Sequence, residues 1–154
     1  MVLPPFPSLV EEHRTAVWGY LVALVGRADA PDLYQDTVLS ALRAYPKVHD
    51  ASNLRSWLLS VAHSRVVDRA RARARRPEVL GDPPEHSSPV VASERDDELW
   101  SVVADLPEKQ RHAVVLRFVG DLSYAAVAEL TDTSEAAARQ NVRAALARLR
   151  KELS

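Results

Sequence analysis

The stretch from Leu106 to Arg150 constrains the chain most, because three helical patterns follow one another there with almost no loop between them. Pro107 stands at the expected first helical position, where its missing N–H goes unneeded, and Glu108-Lys109-Gln110-Arg111 continue that helix. Gly120 is the expected stop, and Ser123 the expected N-cap of a short second helix. A tight turn at Thr131-Asp132-Thr133 leads to a third helix capped by Ser134. Along it Ala138, Val142, Ala145, Leu146 and Leu149 recur at i, i+4, i+7, i+8 and i+11, which is one apolar stripe. Glu135, Arg139, Gln140 and Arg143 lie on the other side. A short helix, a sharp turn and a basic helix together form a helix-turn-helix, the arrangement that presents a helix face to a DNA major groove.

Composition removes other classes. Zero cysteines among 154 residues exclude disulfide frameworks, zinc fingers and thiol nucleophiles together, and suit a reducing cytoplasm. No apolar run approaches the roughly 18 residues that suggest a membrane span, so no membrane insertion is expected. Met1-Val2-Leu3-Pro4-Pro5-Phe6-Pro7 lacks the basic and apolar regions of a signal peptide and reads as a flexible lead. Four glycines and few β-branched alternations argue for an all-α fold. His13, His49, His63, His86 and His112 show no ligand spacing, and neither a phosphate loop nor a recognisable nucleophile is present. No metal, cofactor or enzymatic activity is therefore expected.

A net charge of −1 hides strong local bias. Arg65, Arg69, Arg71, Arg73, Arg75 and Arg76 crowd one segment, opposed nearby only by Asp68. Seven carboxylates against Arg95 follow between Pro77 and Leu99, and the last helix turns basic again through Arg139, Arg143, Arg148, Arg150 and Lys151. Basic blocks separated by an acidic one average to near zero while leaving local fields intact.

The charge map follows a domain map: a lead over 1–7, a helical domain over 8–76, an acidic Pro/Ser-containing linker over 77–96 and the helix-turn-helix domain over 97–154. In the first domain, Leu9, His13, Val17, Tyr20, Leu21 and Leu24 line one helix that ends near Gly26. A second helix runs from about Asp29 to Tyr45, with Tyr34, Val38, Ala41, Leu42 and Tyr45 as its expected core stripe. After the loop Pro46–Ser52, Leu54, Trp57, Leu58, Val61 and Ala62 supply the core face of a third. On the second helix Asp32, Gln35, Asp36, Leu39 and Arg43 share the opposite side. That face reads either as solvated surface with one stray leucine or as an acid-tipped docking surface around an apolar anchor.

Asp32-Leu33-Tyr34-Gln35-Asp36-Thr37-Val38, then Ala41-Leu42-Arg43 and Leu54-Arg55-Ser56-Trp57-Leu58, resemble region 2 of bacterial sigma factors. Leu106–Arg111, Leu122-Ser123-Tyr124 and the helix from Ser134 resemble region 4. Their order, the linker and the length are similar to the two-domain extracytoplasmic-function group, over roughly Ser8 to Leu153.

The resemblance implies partners and sites. Core RNA polymerase would be met through its β′ clamp helices, by Asp32, Gln35, Asp36, Leu39 and Arg43, and through its β flap. Promoter DNA would be melted by the loop and helix start that hold Lys47, His49, Asn53 and Ser56, with Arg65, Arg69 and Arg71 on the backbone. Trp57 reads as a core residue by its spacing to Leu54 and Val61. The upstream promoter element would be read by Ser134, Glu135, Arg139, Gln140, Asn141 and Arg143. An anti-sigma factor is a further implied partner. The chain departs from the family pattern at Asp132-Thr133, where glycine and a buried aliphatic residue are usual, and at Asn141, where arginine is usual. Rival readings are a stand-alone helix-turn-helix regulator, which leaves the Asp32–Arg43 face idle, and a sigma-like protein acting through protein contacts alone, which leaves the basic last helix idle.

Overall fold

The computed structural model describes residues 2–75 and 94–154 of the chain. Every regular element among them is helical, and they fall into two compact units, one within Met1–His86 and one within Ser87–Ser154. The expected linker lies outside the described residues apart from its last three, which already belong to a helix.

Unit 1 begins with α1 (Phe6–Ala44), a helical hairpin rather than a rod. At Gly26 the backbone takes φ 83 and ψ 166, a conformation in which a Cβ would clash. The chain reverses there. Phe6 consequently packs on Tyr45 with ring centroids 5.3 Å apart, and Trp18 meets Tyr34 edge-on at 5.9 Å. The expected end of the first helix near Gly26 is where this reversal occurs. A single 3-10 turn (Tyr45–Lys47) then leads through an irregular loop to α2 (Leu54–Arg75).

α2 packs along both arms of the hairpin. Leu9, Ala16, Val17, Tyr20 and Leu21 from the first arm are buried, with Ala30, Leu33, Thr37 and Ala41 from the second and Leu54, Leu58, Leu59, Ala62 and Val66 from α2. The Tyr20 hydroxyl lies 2.9 Å from His63 Nδ1, and burial pushes its pKa far above the usual tyrosine value, so the phenol stays protonated. His13 is only partly buried, and desolvation, with help from Arg55, holds its imidazole below the usual histidine range.

The second arm buries a different stripe from the one its sequence suggests. Leu33 and Thr37 face the core, whereas Tyr34 and Val38 are half-buried and Leu42 is 50% exposed. Thr37 can sit inside because its hydroxyl donates to the Leu33 carbonyl at 2.7 Å, which leaves no unsatisfied polar atom. Trp57 also departs from expectation: it is half-buried and packs against Tyr45 with the rings tilted and their centroids 5.8 Å apart.

Unit 2 comprises α3 (Glu94–Asp105), α4 (Glu108–Phe118), α5 (Tyr124–Leu130) and α6 (Glu135–Leu153). Pro107 stands one residue before α4, with extended ψ, rather than as its first helical residue. The turn after α4 places its left-handed residue at Asp121 (φ 56) and not at Gly120, which is buried. Ser123 and Ser134 cap α5 and α6 as expected, accepting from the Ala126 and Ala137 amides at 3.1 and 3.0 Å.

Between α5 and α6, Asp132 takes φ 54, the left-handed conformation usually given to glycine. The Thr133 amide donates to the Ala128 carbonyl at 2.9 Å and the Thr131 amide to Val127 at 3.0 Å, closing the end of α5. The departure from the family turn therefore leaves a tight turn in place. Ala138, Val142 and Ala145 are buried, while Leu146 and Leu149 are only partly covered.

Gly26→Ala should lower stability by about 1–3 kcal/mol, the cost of forcing a Cβ into this conformation. Urea unfolding of the full chain followed by circular dichroism measures it, and an unchanged midpoint would count against the hairpin.

Candidate functional site

Three surfaces hold the residues singled out from the sequence, two on unit 1 and one on unit 2. On the second arm of α1, Asp32, Gln35, Asp36, Leu39 and Arg43 are all exposed, because Leu33, Thr37 and Ala41 occupy the inward phase of the same helix. Leu39 is 44% exposed, and Leu42, three residues on, lies beside it. The apolar anchor is thus a pair of leucines. Sequence reasoning assigned Leu42 to the core; its i+3 relation to Leu39 was the signal for the outward phase.

Behind this face runs a groove of about 480 Å³ lined by Asp32, Leu33, Gln35, Asp36, Arg65, Asp68 and Arg69. Two groups that the sequence assigns to separate partners therefore share one groove. Arg65 reaches Asp68 at 2.6 Å, while Arg69 and Arg73 bond the two carboxylate oxygens of Asp29 at 3.2 and 3.0 Å. Asp29 is a missed residue. It lies about forty positions away in the chain, and the reversal between the second arm and α2 brings it to the two arginines. Its carboxylate anchors two arginines that seemed unopposed, so the basic end of α2 presents a weaker field than its sequence implies. Arg71 remains exposed.

In the loop before α2, Lys47, His49 and Asn53 are exposed and Ser56 is half-buried. The Asn53 side-chain oxygen accepts from the Ser56 amide at 3.1 Å, and its carbonyl accepts from the Trp57 amide at 3.1 Å. Asn53 is the N-cap of α2, which leaves its side-chain NH2 as the group available to a ligand. The Ser52 hydroxyl and then the Ser52 amide, the latter at 2.8 Å, donate to Asp50, which holds its carboxyl below the usual range and keeps a negative charge between His49 and the helix start.

On unit 2, Ser134, Glu135, Arg139, Gln140 and Arg143 are exposed at the start of α6, and Asn141 is partly covered. Arg139 pairs with Glu135 at 2.9 Å, one turn back, and Arg143 approaches the Gln140 side-chain oxygen at 3.4 Å. The Arg139 guanidinium also lies over the ring of Tyr124, 4.4 Å from its centroid. Tyr124 is the first residue of α5; it has a place in the region 4 motif read from the sequence but none among the site residues. Nothing in spacing alone pairs it with Arg139; the turn at Asp132 does. No cluster of three metal-binding side chains occurs among the described residues, and no helix there is long and apolar enough to cross a membrane.

Comparison with known proteins agrees with this arrangement. Residues 9–76 match Sigma-70 region 2 and residues 96–149 match Sigma-70, region 4. The chain belongs to the sigma-70 family of RNA polymerase sigma factors, in its ECF group. It is 33% identical over 126 residues to the ECF RNA polymerase sigma factor SigC of Mycobacterium tuberculosis, covering 77% of this chain and 66% of that protein. It is 26% identical over 153 residues to the ECF RNA polymerase sigma-E factor of Haemophilus influenzae, covering 89% and 81% respectively. The chain thus spans about two thirds of the mycobacterial relative's length. Among solved structures, the sigma factor RpoE of Bartonella quintana, in complex with the anti-sigma factor NepR, is similar with a TM-score of 0.83 at 21% identity over 96% of both chains. CnrH, in complex with the cytosolic domain of CnrY, gives a TM-score of 0.71 at 23% identity over 96% of this chain and 86% of that one. At those identities the likeness is one of fold.

Asn53→Ala should cost about 1 kcal/mol by uncapping α2, and Asn53→Asp should restore most of it. Thermal unfolding of the full chain distinguishes these; an Asn53→Ala midpoint equal to wild type would mean that the cap is unimportant.

Proposed function

We propose that the chain binds core RNA polymerase through the exposed face of the second arm of α1, sets the start of α6 on the upstream promoter element, and opens the downstream element with the loop from Lys47 and the start of α2 up to Trp57. The observation that carries this reading is the exposed pair Leu39 and Leu42 flanked by Asp32, Gln35, Asp36 and Arg43. Solvent gains nothing from two half-exposed leucines one turn apart, whereas covering what remains of each contributes about 1 kcal/mol. The flanking carboxylates favour a basic partner and set register more than they add affinity. Helices of the β′ clamp fit that description, and the β flap is the corresponding partner for unit 2.

On unit 2, Arg139 and Arg143 supply guanine-type contacts and Gln140 and Asn141 adenine-type contacts, with Ser134 and Glu135 at the helix start. Glu135 acts through Arg139, since its carboxylate holds that guanidinium at 2.9 Å. In unit 1 Arg71 is the most accessible phosphate contact, while Arg65 and Arg69 must exchange a carboxylate for a phosphate. Single-strand capture falls to His49 by stacking and to the Asn53 amide and Ser56 hydroxyl by hydrogen bonding.

The protein works by binding in the cytoplasm, without catalytic chemistry of its own. An anti-sigma factor is a fitting regulator, given that one of the structural relatives named above was solved with the anti-sigma factor NepR bound and the other with the cytosolic domain of CnrY.

Two variants separate the roles. Arg139→Ala should weaken selection of the upstream element about tenfold, by the worth of one bidentate base contact, with polymerase affinity unchanged. Asp36→Arg combined with Leu39→Ala should abolish assembly with core polymerase. Pull-down with core enzyme and template competition by the holoenzyme read the two effects. Loss of both functions in the Arg139 variant would overturn the assignment.

A further inference from the structure

Tyr124 is the point at which α4, α5 and α6 converge on one side chain. Its ring carries the Arg139 guanidinium of α6 at 4.4 Å and the Arg117 guanidinium of α4 at 4.8 Å. Arg117 is itself fastened, donating from Nη1 to the Leu122 carbonyl at 3.0 Å in the turn before α5. Ser123 fixes the start of α5 by its cap, and the Asp132 turn fixes α6 against it. Tyr124 is thus held by its own backbone and by α4, and offers Arg139 a stationary aromatic face.

An arginine on an exposed helix face ordinarily samples many rotamers, and a base contact must first immobilise it. Arg139 departs from that condition, with half its side chain covered, Glu135 paired to its guanidinium and the Tyr124 ring against it. Glu135 alone does not define its direction, because exposed i,i+4 pairs hold weakly and weaken further with salt. A ring contact with a guanidinium adds planarity: it favours a stacked guanidinium whose edge stays open to hydrogen bonds. The edge is the part that a guanine reads bidentately.

We propose that Tyr124 is a positioning residue that orients Arg139 for base readout, so that promoter selectivity in this chain depends on a residue of the first helix of the helix-turn-helix. The inference rests on Arg139 contacting a base edge, as set out above. It assigns Tyr124 no contact with a base.

The test uses holoenzyme assembled from the full chain and core RNA polymerase, transcribing a template library randomised across the upstream element. Selectivity is read as the base preference at each randomised position. Arg139→Ala identifies the position that Arg139 reads. Tyr124→Leu should reduce preference at that same position about two- to fivefold, as expected for losing an exposed cation–π contact, and leave other positions unaltered. Tyr124→Phe should rescue it, because the ring face is kept. In the Arg139→Ala background Tyr124→Leu should add nothing. Unchanged preference in Tyr124→Leu overturns the proposal. So does a loss that persists without Arg139, or one spread evenly over all positions, which marks direct contact or general loosening. If Arg139→Ala itself alters no position, the base-reading assignment fails first and takes this one with it. Thermal unfolding of each variant in parallel identifies a folding defect, and Tyr124→Phe then decides alone.

Discussion

Unit 1 depends on the reversal at Gly26. One residue with φ 83 and ψ 166 turns a continuous helical sequence into two antiparallel arms, and the contacts between those arms presuppose it. Phe6 against Tyr45 and Trp18 against Tyr34 both join residues on opposite sides of it. Once the arms are antiparallel, α2 can cover both, and the inward phase of the second arm is taken by Ala30, Leu33, Thr37 and Ala41. The outward phase follows by subtraction. The candidate polymerase surface is what remains when the core has been filled.

Unit 2 solves the same problem with turns instead of a hairpin. Its helices are short, and α5 has seven residues, too few to persist without tertiary support. Serine caps at Ser123 and Ser134 and left-handed residues at Asp121 and Asp132 end each helix where packing needs it to end. Two aspartates at positions that favour glycine give up some stability, since a Cβ is tolerated there only because the short polar side chain can bond locally. The tight turn is nonetheless kept, and with it the placement of Tyr124 under Arg139.

Much of this was legible in the sequence. Helix-turn-helix punctuation, both serine caps, the break at Gly26 and the exposure of Asp32, Gln35, Asp36, Leu39 and Arg43 all follow from residue type and local period. What escaped depends on what each side chain bonds to and on where a turn falls. Thr37 reads as polar, so Leu42 was given its place in the core; only the bond to Leu33 makes a buried threonine acceptable. Asp29 reads as a helix-start carboxylate, and its two arginine partners come from another helix. Asn53 reads as a base contact, and its second role as the cap of α2, through its side-chain oxygen, was not anticipated. Gly120 reads as the left-handed stop, but the chain assigns that geometry to Asp121. Apart from the Gly120 turn, each case rests on a bond, within one helical turn for Thr37 and Asn53 and between helices for Asp29, that residue type alone does not announce.

The family membership and the surface on α1 converge on one central claim, that this chain rides on core RNA polymerase and redirects it. Run-off transcription by purified core enzyme on genomic fragments, with and without the chain at low salt, measures that directly. The account predicts new start sites that share an upstream element at fixed spacing and vanish without the chain. Identical transcripts in both reactions, with the chain shown to be folded and free of inhibitors, would contradict it.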